Sequence, residues 1–419
     1  MWRWNHGKVL PVLLLCLSLL FLLAAPPFLS HRLKDKRAED PFEPEKPEWT
    51  GILTLWDIPY VSTGKGSAAR WLEGPIRRFE KNYPGVFIDV RSLSTERLAM
   101  YLSGDKSNAM LPDMISLGIY EQPVPENDFV DLLPDFKEGE LNGIRDIAVK
   151  RVMSGSRMVG VPWMMGSYGL AVKEEALSDE DFTSSSKALD YSSLDTLVKK
   201  ISSQKTSGGK KSDGKKKDCY GFCSYADSSR PILSMIYGKD GKIGGNDGFP
   251  LLERWSREKG ILPPDWEQFS YSSAFHLFAV EQQAGVLLGS SKFIYDNRSL
   301  QQSGKGVAMR VFPVPMGQSG RFYQDQIAAY GVLRQDSSKK QRLCTLFLES
   351  LLEEETQKQL TDLGMFSVRK DLQLYAEDEE MKILEESLSQ TAVGPFGENR
   401  DRVNAFWEKQ KNREPAPAD

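Results

Sequence analysis

Between residues 52 and 117 the chain alternates strand-favouring and helix-favouring segments, and this alternation limits the fold more than anything else in it. Ile52-Leu53-Thr54-Leu55-Trp56 is a short apolar, β-favouring run that reads as a buried first strand. Residues 69–83 carry Trp71, Leu72, Ile76 and Phe79 at helical spacing, and Pro84-Gly85 stops that helix. Val86-Phe87-Ile88-Asp89-Val90 is a second strand, residues 95–102 a second helix, and Leu111-Pro112-Asp113-Met114-Ile115-Ser116-Leu117 leads into a third strand. Strand, helix, strand, helix, strand implies a parallel sheet covered by helices. In such sheets ligands sit beyond the carboxyl ends of the strands. Here those ends are Trp56-Asp57 and Gly118-Ile119-Tyr120.

A chain of 419 residues holds two core-sized domains. Its 54 basic and 58 acidic side chains leave a formal net charge of -4, which excludes a whole-molecule attraction to nucleic acid. Only three histidines occur, His6, His31 and His276, so histidine-based metal sites and triads are largely excluded and no cofactor is expected. Cys219 and Cys223 frame Cys-Tyr-Gly-Phe-Cys, which is compatible with a small disulfide loop or with two thiols.

Arg3 and Lys8 precede an apolar run at residues 9–25, which Pro26 and Pro27 end. Residues 1–30 read as a signal peptide or an N-terminal membrane anchor. Leu23 and Ala25 followed by Pro26 suit a signal peptidase poorly, and Leu15 before Cys16 argues against a lipoprotein, so the anchor is favoured. Residues 31–49, with Pro41, Pro44 and Pro47, form an extended tether. Further on, residues 203–218 are a lysine-rich, low-complexity loop that buries nothing. Residues 341–360, 381–388 and 401–409 read as helices, and 410–419 as a tail.

The order of these segments resembles the extracellular solute-binding proteins of the maltose-binding type, family 1 of the substrate-binding proteins of ABC transporters. The likeness is carried by Ile52-Leu53-Thr54-Leu55-Trp56-Asp57, by Phe79 to Val86, and by Leu111-Pro112-Asp113-Met114-Ile115. It continues through Gly160-Val161-Pro162-Trp163, Ala284-Gly285-Val286-Leu287 and the late segment from Leu360 to Arg369. Each motif is weak alone, and their collinear order is the specific signal. Val172-Lys173-Glu174 and the lysine-rich insert depart from the family pattern.

The resemblance implies an α/β, two-lobed periplasmic-binding-protein type II fold. Each lobe would be a mostly parallel sheet flanked by helices, with a multi-strand hinge between them. The first lobe would comprise 52–161 and 283–324, the second 162–282 and 325–409. It further implies a monomeric, non-enzymatic receptor on the extracytoplasmic face of a bacterial membrane. Such a receptor would close around a small ligand, a carbohydrate, and deliver it to ABC permease subunits. A membrane-anchored sensor that signals to a partner uses the same fold and remains the alternative. A glycoside hydrolase would need two carboxylates about 5 to 10 Å apart, and no motif fixes such a pair.

Sugars present apolar CH faces and many hydroxyls, so their receptors offer aromatic rings and carboxylates. The candidate ligand residues are therefore Trp56 with Asp57, Tyr120 with Glu121, Trp163, Tyr168, Tyr225 with Asp227, Tyr295 and Asp325. Asp296 and Tyr323 stand beside two of these. Tyr295 is favoured most, from its place after the return strand. Trp56 and Trp163 read equally well as core or hinge packing, and Trp71 fits a helix core better than a site. Asn297-Arg298-Ser299 matches a glycosylation sequon that means little in a bacterial protein.

Overall fold

The computed structural model describes residues 47–58, 65–94, 96–97, 111–117, 126–137, 139–177, 189–203, 219–225, 231–236, 248–316, 320–392 and 408. The leader, the tether up to residue 46 and the insert 204–218 lie outside them, as do most of the 95–102 and 401–409 segments. Among the described residues no helix is long and apolar enough to cross a membrane.

The first part of the chain forms β1 (Gly51–Asp57), α1 (Ala68–Asn82), β2 (Val86–Ser92), β3 (Met114–Ser116), α2 (Asp146–Arg151), β4 (Met153–Ser154), β5 (Arg157–Met158) and β6 (Val161–Met165). The middle forms β7 (Tyr168–Lys173), α3 (Tyr191–Ser203), β8 (Tyr220–Cys223), α4 (Ile232–Ile236), α5 (Gly248–Trp255), α6 (Tyr271–Phe275), β9 (Ala284–Ser290), α7 (Lys292–Gln302) and β10 (Met309–Pro313). The last part forms β11 (Phe322–Tyr323), β12 (Ile327–Val332), α8 (Ser338–Ser350), α9 (Glu354–Lys358), α10 (Glu379–Ser387) and β13 (Thr391–Ala392).

Two sheets organise these elements, one per lobe. The first runs β2-β1-β3-β12-β6 and the second β10-β7-β9-β8. β1 is parallel to β2 and β3, whereas β12 opposes both β3 and β6. In the second sheet β9 is parallel to β8, and β7 opposes β9 and β10. One strand in each sheet is thus reversed and the others point one way.

Local sequence explains the first lobe. Ser67 caps α1 by accepting from the Arg70 N–H at 3.3 Å, and the helix buries Trp71, Leu72, Pro75 and Phe79 on one face. Gly85, at φ +92°, makes the left-handed turn into β2 that Pro84 prepares. Asp113 explains the Pro-Asp signature. Its Oδ2 accepts from the Thr54 N–H (2.8 Å) and hydroxyl (3.1 Å), while Oδ1 accepts from Lys340 Nζ at 2.6 Å. One buried carboxylate therefore clamps β3 to β1 and to α8, and each of its oxygens is bonded.

Sheet membership corrects the lobe boundaries read from the sequence. β9 and β10, in the segment 283–324 placed in the first lobe, pair with β7 and β8 in the second sheet. β12, placed in the second lobe, pairs with β3 and β6 in the first. The reason is that a fully buried strand is apolar on both faces, so its pattern does not say which sheet it joins. The residues read as one helix at 341–360 also divide, into α8 and α9 with a break at 351–353.

The chain crosses between the lobes at 166–167, at 324–326 and beside Phe366. Met165 and Phe366 exchange two backbone hydrogen bonds, at 3.0 and 2.8 Å. The Gly166 N–H donates to Gln326 O at 2.7 Å, and Gln324 Nε2 donates to Gly166 O at 2.9 Å. Gln357 completes the third crossing. Its amide donates to the carbonyls of Trp163 and Leu351, both at 2.8 Å, and accepts from the Ser367 hydroxyl at 2.7 Å.

A Cβ on Gly166 would meet Gln326 Oε1 at 2.1 Å and Gln326 Cβ at 2.8 Å. Gly166→Ala is expected to lose about 1–3 kcal/mol by overpacking the crossing, read by urea unfolding. Gly143→Ala, whose added methyl meets nothing within 4 Å, is the control. It should change stability by no more than about 0.5 kcal/mol.

The cysteine pair is decided by β8. Cys219 precedes that strand and Cys223 ends it, so extended backbone holds their Cα atoms about 13 Å apart, beyond disulfide reach. Both are thiols, Cys219 half-buried and Cys223 buried. Burial pushes all three described thiols, Cys219, Cys223 and Cys344, above the usual range. Iodoacetamide mapping by mass spectrometry should modify Cys219 in the native protein and Cys223 and Cys344 only after unfolding. Recovery of a Cys219–Cys223 disulfide peptide would refute the geometry.

Candidate functional site

β6 ends at Met165 and β7 begins at Tyr168, so the edges of the two sheets meet at the first crossing. On the first-lobe side this edge carries the carboxyl ends of β1 and β3, with the start of the reversed β12. On the second-lobe side it carries the carboxyl ends of β8, β9 and β10, with the start of the reversed β7. Register confirms the alignment, since Tyr168 pairs with Ser290 and Gly169 with Pro313. The carboxyl ends of both sheets thus face one crevice beside the three crossings, the position where open α/β sheets hold ligands.

The crevice is bridged by a charge and a ring. Lys65, on the loop between β1 and α1, places its Nζ 5.6 Å from the ring centroid of Tyr295, on α7 of the second lobe. The Arg298 guanidinium lies 5.8 Å from the same ring. Arg298 is held by two bonds to Asp378 (2.7 and 2.6 Å) and two to Glu380 (3.0 and 2.6 Å). These contacts hold the Asp378 carboxyl below its ordinary pKa against the opposing effect of burial, and Lys65 adds to the lowering. Tyr295 therefore stands in the first turn of a helix rather than in a loop, and in the second lobe rather than the first.

The other candidates divide by what they touch. Trp163 is wholly buried in the first lobe, stacked on Trp71 (4.6 Å, 19°) and on Tyr330 (5.5 Å, 9°). It forms the middle of an aromatic stack within one lobe, not the far wall of the crevice. Trp56 is buried in the same core. Tyr168 donates to Asp325 Oδ1 at 2.6 Å, so these two candidates, both buried, bond each other across the hinge. The Tyr225 hydroxyl accepts from the Ser290 N–H at 2.9 Å, and its ring meets Tyr271 edge-on at 5.3 Å. The Asp296 carboxylate accepts from the Tyr271 hydroxyl at 2.6 Å and pairs with Lys292 at 3.1 Å. Tyr120, Glu121 and Asp227 lie outside the described residues. Asn297 is buried and its amide both donates to and accepts from Val307, so the sequon is structural.

Asp57 ends β1 at the crevice edge and accepts from the Tyr330 hydroxyl at 2.9 Å. It is 1% exposed, and burial raises its pKa, with the Tyr330 and Ile58 hydrogen bonds opposing the rise. Sequence reading passed over Lys65, the glutamines of the crossings and Tyr330, whereas Trp71 lies in the core where it was read. The one signal available for the glutamines was the polar triplet Gln324-Asp325-Gln326 between two apolar strands. Among the described residues no group of three or more His, Cys, Asp or Glu is arranged to hold a metal ion.

With this geometry in hand, the fold is that of the two-lobed solute-binding proteins the sequence resembles. No family model matches the sequence and no curated protein matches it. Solved structures do. The GacH receptor of Streptomyces glaucescens, solved unliganded and with acarbose, superimposes with a TM-score of 0.59 at 15% identity over 87% of this chain and 93% of its own. MalE3 of T. maritima with maltose gives 0.59 at 17% identity over 86% and 93%. The ABC substrate-binding protein Lmo0181 of Listeria monocytogenes with cycloalternan gives 0.60 at 14% over 87% and 94%.

Because the folded-state pKa of Asp57 is raised, its contribution is most favourable below the ordinary carboxylate pKa. Stability is then lost as pH rises from about 4 through the raised value. Asp57→Asn keeps an acceptor for Tyr330 and removes the buried charge. It should melt higher than the parent at pH 7 and show no advantage at pH 3. A lower melting temperature at pH 7 alone would mean that the charged form is the stabilised one.

Proposed function

We propose that this chain is the extracytoplasmic solute-binding receptor of an ABC importer. It takes an oligosaccharide into the crevice between its lobes and presents it to a membrane permease. The observation that carries the reading is the convergence of strand carboxyl ends from both sheets on one crevice, with Lys65 and Tyr295 meeting across it. The neighbours with this fold were solved with acarbose, maltose and cycloalternan, which supports a carbohydrate ligand. The chemistry at the crevice agrees. Tyr295 offers a ring face, Lys65 a donor, and Asp378 and Glu380 acceptors for hydroxyls. The buried carboxylates at its edge bond to tyrosines, which suits a receptor that binds without turnover. Three crossings let the lobes close as rigid bodies, with rotation confined to a few residues.

Calorimetry with maltotriose, acarbose and cycloalternan tests this. At least one should bind with a Kd in the micromolar range or tighter, about -8 kcal/mol or better. Saturation should raise the melting temperature, and small-angle scattering should show compaction. Absence of heat and of any melting shift with all three would refute the oligosaccharide reading. Co-purification of permease subunits would favour import over sensing.

A further inference from the structure

We infer that the indole N–H of Trp71 donates a hydrogen bond to the ligand from the first-lobe wall of the crevice. This rests on the receptor reading above and adds to it a residue that determines specificity. Trp71 lies in the first turn of α1, four residues past the capping Ser67. The helix leaves β1 at its carboxyl end and returns the chain to the start of the parallel strand β2. Its first turn therefore lies at the crevice edge of the sheet.

The ring cannot turn freely. It stacks on Trp163, Trp163 stacks on Tyr330, and the Tyr330 hydroxyl is bonded to Asp57 at the end of β1. The side chain is 6% exposed, and its Nε1, itself buried, has no hydrogen-bond acceptor among the described residues. Indole nitrogen is a donor only, and buried donors are nearly always paired. For packing alone a phenylalanine face would serve. A fixed indole at the ligand edge, with its N–H unmatched by the described residues, is suited to an oxygen acceptor brought from outside: a hydroxyl, ring or glycosidic oxygen of a sugar. A site built around such a donor discriminates against analogues that lack the matching oxygen.

The test is Trp71→Phe, which keeps an aromatic face for Trp163 and deletes the donor. Using whichever of maltotriose, acarbose and cycloalternan binds the parent most tightly, affinity should fall about tenfold, the factor that 1.4 kcal/mol represents. The ligand-free melting temperature should stay within a few degrees. An independent measurement uses the unmodified protein. Its Trp71 indole resonance, assigned through the backbone in a nitrogen-15 spectrum, should shift on saturation while that of Trp266, buried in the second-lobe core, stays in place. A folded variant with unchanged affinity overturns the inference alone. If the variant does not fold, a stationary Trp71 resonance overturns it. If none of the three sugars binds the parent, the oligosaccharide reading falls and takes this inference with it.

Discussion

The structure depends on how three crossing segments keep their backbone polar groups paired where no sheet continues. A chain leaving one sheet for another exposes N–H and C=O groups that have lost their ladder partners, and burying them unpaired is costly. Here the gap is closed by the reciprocal Met165–Phe366 pair, by Gly166 with Gln326, and by the side-chain amides of Gln324 and Gln357. Side-chain amides suit this place because each both donates and accepts, so it can replace a missing ladder partner on either side. The glycine follows from the same constraint, since any side chain at position 166 would displace Gln326.

That knot governs the residues around it. Tyr168 sits just past the first crossing and Asp325 within the second, and they bond each other, which ties the start of β7 to the chain entering β12. Tyr225 is bonded to the end of β9. These side chains have the chemistry expected of sugar ligands, but they spend their polar atoms on holding strand ends together. Among the described residues, Lys65 and Tyr295 meet from opposite lobes, backed by Arg298, Asp378 and Glu380. The two cations over that ring hold it in a defined orientation.

The lysine at position 173, where the chain departs from the family pattern, has a similar account. Lys173 ends β7, is buried, and donates to the Gln282 carbonyl at 2.8 Å beneath the Phe278 ring. Burial lowers its pKa. Gln282 itself holds a left-handed φ of +57° at the turn into β9, so the ammonium secures a strained turn far from the crevice. The departure concerns the packing of the second lobe rather than its ligand contacts.

By itself the sequence determined the elements and their class. The apolar run into Trp56, the amphipathic helix around Trp71 and the Pro112-Asp113 lead-in each formed as read, because strand and helix periodicity act over a few residues. The collinear motifs also pointed to the correct fold across most of the chain. What only the tertiary structure decided was which sheet each buried strand joined and which aromatic residues faced outward. Strands β9 and β12 carry no mark of their partners, since burial on both faces erases the alternation that would orient them. Trp163 and Tyr295 looked alike as aromatics beside strand ends. Trp163 is sealed between Trp71 and Tyr330, while Tyr295 meets a lysine from the other lobe. That difference arises from contacts between segments far apart in the chain, brought together by the crossings at Gly166, at Gln324 to Gln326 and at Phe366.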